Sequence, residues 1–93
     1  MDNHINQQLF HSVQGDWSNV KDILIESQAD KNVIEFLDEY IVDYKNKNLF
    51  NTFVIKMKDI LSNEVFKASV INHTNEAIQN NIRVPYDFLT LIE

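Results

Sequence analysis

The sequence predicts an all-α fold, a small bundle of four or five helices forming one domain over residues 1–93, and three observations predict it. Glycine and proline occur once each, at Gly15 and Pro85, whereas an all-β chain needs turn residues at every strand junction. Apolar side chains recur at helical rather than alternating spacing along most of the chain. The hydrophobic fraction of 44%, with six Phe, three Tyr and one Trp, is enough for a packed core, so the chain should fold.

A first helix is expected over 3–13, where Ile5, Leu9 and Val13 share one face, with Gly15 as its stop. Asp16 can cap a second, over 17–28, with the stripe Trp17, Val20, Ile23 and Leu24. Asp30 can cap a third, over 31–46, which sets Val33, Leu37, Tyr40 and Tyr44 on one side and ends in the link Lys45-Asn46-Lys47-Asn48. The fourth, over 49–61, has the cleanest pattern: Leu49, Phe50, Phe53, Val54, Met57, Ile60 and Leu61 follow the i, i+3, i+4, i+7 template. Within it, 50–55 is the stretch most easily read as a strand.

Ser62 or Asn63 can cap a fifth helix, over 64–79. Its apolar positions Val65, Phe66, Val70, Ile71, Ala77 and Ile78 cover more than half the circumference, which predicts a central place in the bundle. Asn80-Asn81 reads as a left-handed stop, Val84 before Pro85 as extended, and 86–92 as a short closing turn or helix.

Several kinds of chemistry are excluded. Cysteine is absent, which removes disulfides, thiolate zinc sites and cysteine nucleophiles together. A phosphate-cradling loop needs several glycines and the chain has one; no serine stands in a Gly-x-Ser-x-Gly context. His4 and His11 are seven apart, about 10 Å along a helix, too far to share a metal. His73 and Glu76 could supply two ligands at i, i+3, but His73 also falls in line with Phe66, Val70 and Ala77, the position of a hydrogen-bonded, partly buried histidine. No catalytic residue, cofactor or metal is therefore expected, and the chain is not expected to be an enzyme. No segment approaches the roughly 18 apolar residues of a membrane span, and no basic start leads into an apolar run, so a cytoplasmic protein without a membrane partner is expected.

Residues 15–30 carry a local resemblance to the inner half of an ankyrin repeat, through Gly15-Asp16, Val20-Lys21, Ile23-Leu24 and Ala29-Asp30. Nothing recurs at a period near 33, and a lone repeat cannot bury its own face, so the family assignment is rejected.

Charge is what distinguishes the chain. Nine acids and two lysines fall within 1–43, a sum of −7, whereas 44–93 sum to +1. Opposite the core stripe of the third helix a wheel places Glu35, Asp38, Glu39 and Val42; on the second it places Asp22, Ile25 and Glu26 away from Trp17, Val20 and Leu24. The short link at Ala29-Asp30 should make these helices antiparallel neighbours and merge the two faces. Acids surrounding an apolar residue combine long-range steering of a basic partner with a dry central contact.

The expected partner is thus a basic protein, either a toxin or a nucleic-acid-binding protein. The lead expectation is an immunity-type inhibitor of a nuclease-like toxin, with Asp22, Glu26, Glu35, Asp38, Glu39 and Asp43 supplying charge and Ile25, Tyr40 and Val42 as candidate anchors. A phage-type nucleic-acid mimic is one alternative, and a helical homo-oligomeric adaptor joined through Ile25, Val42 and Ile55 is another. Direct nucleic-acid binding is disfavoured: Lys56 and Lys58 point to different sides of one helix, and the net charge of −6 opposes phosphate.

Overall fold

A computed structural model describes residues 15–43 and 45–93. Among the described residues the chain forms helices α1 (15–26), α2 (Lys31–Val42), α3 (Lys47–Ile60), α4 (Glu64–Gln79) and α5 (Tyr86–Ile92), and no strand. The all-α bundle is therefore what this sequence folds into, and 50–55 is helical. The helix expected over 3–13 and the stripe residue Tyr44 lie outside the described residues.

Short polar side chains set three of the helix starts. Asp30 accepts from the backbone N–H of Asn32, Asn46 from those of Asn48 and Leu49, and Asn63 from that of Phe66. Each satisfies donors that the first turn leaves without partners, worth about 1 kcal/mol per cap. Asn46 thus starts α3 two residues earlier than its apolar pattern does, and α2 stops at Val42 rather than running to 46. Pro85, with φ −64° and ψ 142°, leads into α5 without a side-chain cap.

Two helices end in left-handed turns. Gln28 has φ 61° and Asn81 has φ 63°. At the first, Ala29 N–H reaches Leu24 O and Gln28 N–H reaches Ile25 O; at the second, Ile82 N–H reaches Ala77 O and Asn81 N–H reaches Ile78 O. These crossed pairs are Schellman caps, which recover carbonyls that the last turn would otherwise orphan. Asn81 is the stop its residue type suggests; Gln28 is one that no residue preference announces.

The start of α1 differs from expectation. Gly15 is helical with no positive φ, and Asp16 is itself helical rather than the cap that precedes a helix. A glycine costs a helix only about 1 kcal/mol relative to alanine. Burial of Trp17 and Val20 one turn on, with the Asp16–Arg83 ion pair at 3.5 Å, outweighs that cost.

α1 rather than α4 is the central helix. The ring of Trp17 stands edge-on to Tyr40, Phe50, Phe53 and Phe88, with centroids 5.4, 5.9, 5.7 and 6.3 Å away, so one side chain ties α1 to α2, α3 and α5. Such aromatic pairs contribute about 0.5–1.5 kcal/mol each beyond the area they bury. Its Nε1 is buried without an acceptor among the described residues. On α4 only Val70, Thr74 and Ala77 are buried and Val65 is 82% exposed. Thr74 tolerates burial because its hydroxyl donates to Val70 O at 2.7 Å.

Neighbouring helices run antiparallel. Trp17 meets Tyr40 and Lys21 meets Asp38 across α1 and α2. Tyr40 meets Phe50, and Lys56 Nζ lies 5.5 Å from the Phe36 ring centre, across α2 and α3. On the other side of α1, Asn19 donates to Arg83 O at 2.8 Å and Ser27 meets His73. Helix α2 packs on α3, and α5 closes against α3 and α4; α1 meets α2 through Trp17 and Lys21 and α4 through the Ser27–His73 contact.

Candidate functional site

Ser18, Asp22 and Ile25 of α1 are exposed, and the two flanks of the helix differ in charge. Toward α2, Lys21 Nζ lies 2.7 Å from Asp38 Oδ1, with side chains 35% and 48% exposed. Asp38 thus spends its charge on a lysine of this chain. Glu35, one turn earlier on α2, is 4.0 Å from Lys31, a loose exposed pair of little energetic weight. Glu39 is exposed, and Asp43 is exposed and accepts from Asn46 Nδ2 at 3.2 Å in the turn after α2.

Toward α4 the charge is uncompensated. Asp22 and Glu26, one turn apart on α1, face Glu76 of α4 across a cleft of about 170 Å³. The aliphatic side chains of Ile23, Ala77 and Ile82 also line it. Among the described residues these three carboxylates make no ion pair, whereas Asp16, Glu35 and Asp38 each have a cation. Leaving like charges together without a counterion is an electrostatic cost that a cationic ligand would relieve.

His73 lies at the same cleft and is held from behind. Its Nδ1 lies 2.8 Å from Ser69 O and 3.1 Å from Ser27 Oγ, and Ser27 itself donates to Ile23 O at 2.8 Å. A carbonyl oxygen only accepts, so Nδ1 carries a hydrogen, and Ser27 has committed its own. The pair is a clasp between the end of α1 and α4, not a nucleophile beside its base. Among the described residues no group of three or more His, Cys, Asp or Glu is arranged to hold a metal ion.

The expected surface is therefore redistributed. Helices α1 and α2 do lie side by side, but Asp22 and Glu26 turn to α4, not to α2. Tyr40 is 5% exposed and packs on Trp17 and Phe53; it belongs to the core and is unable to anchor a partner, because its place on the buried stripe prevails. Ile25 is 50% and Val42 83% exposed. With Trp17 level with Tyr40 and Lys21 level with Asp38, Ile25 and Val42 stand about 13 Å apart along the helix axes, and so form two separate apolar points. Ile55 is exposed on α3.

Sequence reasoning weighed Glu76 only as a partner of His73 and missed the cleft that sets it beside Asp22 and Glu26. The available signal was the spacing Asn19, Asp22, Ile23, Glu26, a second i, i+3, i+4, i+7 row along α1 beside its core stripe. A helix with two such rows has two neighbours, and the second is α4. No known protein family, no curated protein and no solved structure matches the chain.

Proposed function

We propose that this protein binds a basic protein, acting in the cytoplasm, and inhibits it by covering the cationic surface that the target needs for its own work. The target class is a nuclease-like toxin, faced by an immunity-type inhibitor; a nucleic-acid-binding protein offers the same lysine- and arginine-rich chemistry. One observation carries this reading: Asp22, Glu26 and Glu76 converge, unpaired among the described residues, on a cleft partly lined by aliphatic side chains.

That combination suits the side chain of a lysine or arginine, whose methylene stem can lie on Ile23, Ala77 and Ile82 while its head meets the carboxylates. Ile25, exposed next to Asp22, offers an apolar contact beside the charged one. Glu35, Glu39 and Asp43 extend the negative field over α2 and steer approach, with Val42 as a second apolar point.

The reading is tested by titrating the labelled protein with an arginine-rich peptide and following backbone amide shifts. Shifts concentrated on Asp22, Glu26, His73 and Glu76 support it. Shifts spread equally over the exposed acids Asp59, Glu64 and Asp87, on other parts of the molecule, overturn it.

A further inference from the structure

We draw no further inference here: the strongest candidate, the carboxylate-lined cleft between α1 and α4 in front of His73, belongs to the site already described, and beyond its acidic residues nothing in the structure points to a separate ligand.

Discussion

Ser27 Oγ and His73 Nδ1 lie 3.1 Å apart and join the end of α1 to the middle of α4, behind the acidic cleft. Each partner also bonds a carbonyl of its own helix, Ser27 to Ile23 and His73 to Ser69. Ser27→Ala removes the cross-helix bond and the hydroxyl's bond to Ile23 O, but Nδ1–H keeps Ser69 O and Ile23 O keeps the Ser27 N–H, so the cost should stay at about 0.5–1.5 kcal/mol. Urea denaturation of the variant measures this. A loss above about 3 kcal/mol would mean that the clasp does more than hold two helices in register.

Reversing the cleft charges tests function without touching the core. The double variant E26K/E76K should leave stability within about 1 kcal/mol, since both side chains are exposed and make no ion pair among the described residues. Association with a basic partner should slow about tenfold or more at low salt, and the difference should shrink as salt rises. Stopped-flow or biosensor kinetics read both trends. The paired control D59K/E64K, on exposed positions elsewhere, should have the smaller effect.

Lys21 offers the opposite change. Lys21→Met releases Asp38 and makes the α1 face more negative by one charge. Half-exposed ion pairs contribute little, so stability should shift by less than about 1 kcal/mol while the on-rate for a cationic partner rises. A slower on-rate in this variant would argue that Lys21 itself contacts the target.

The two left-handed caps predict an asymmetry. Gln28→Gly removes a side chain from a conformation it tolerates poorly and should stabilise the protein by up to about 1 kcal/mol, or roughly 4–8 °C in Tm for a domain of this size. Asn81→Gly should give less, because asparagine accepts positive φ more readily. Thermal melts followed by circular dichroism compare the two; equal gains would contradict the argument.

Trp17 should separate packing from polarity. Trp17→Ala empties the centre of an aromatic cluster that includes Tyr40, Phe50, Phe53 and Phe88, and should cost about 3–5 kcal/mol, a large share of the stability of a small domain. Trp17→Phe keeps a ring and deletes the buried N–H that has no acceptor among the described residues, so its cost should be far smaller. Denaturation followed at 222 nm ranks them without relying on the indole's fluorescence.

Local chemistry was the legible part of this fold. Asp30 and Asn63 could be named as caps because a short side-chain acceptor bonds N–H groups two or three residues away, and the bounds of α4 followed directly. Gly15 misled because helix propensity is a weak prior that burial of Trp17 overrides. Gln28 was invisible as a stop since glutamine carries no left-handed preference.

The candidate site was legible by halves. Asp22, Glu26, Glu35 and Glu39 were placed on the surface by periodicity alone, and they are exposed. Which neighbour they face depends on the pairing of α1 with α4, set by contacts between residues far apart in sequence such as Asn19 and Arg83. The same limit explains α4: an apolar count around its circumference suggested a central helix, yet Val65 has no neighbour to cover it.

The central place of α1 has a consequence for biosynthesis. Trp17 emerges from the ribosome before Tyr40, Phe50, Phe53 and Phe88, and the last of these four belongs to α5. The α2–α3 hairpin can pair as it is made, whereas the aromatic cluster is unable to close until translation has passed α5. Nascent chains arrested short of that point should present an uncovered indole to chaperones.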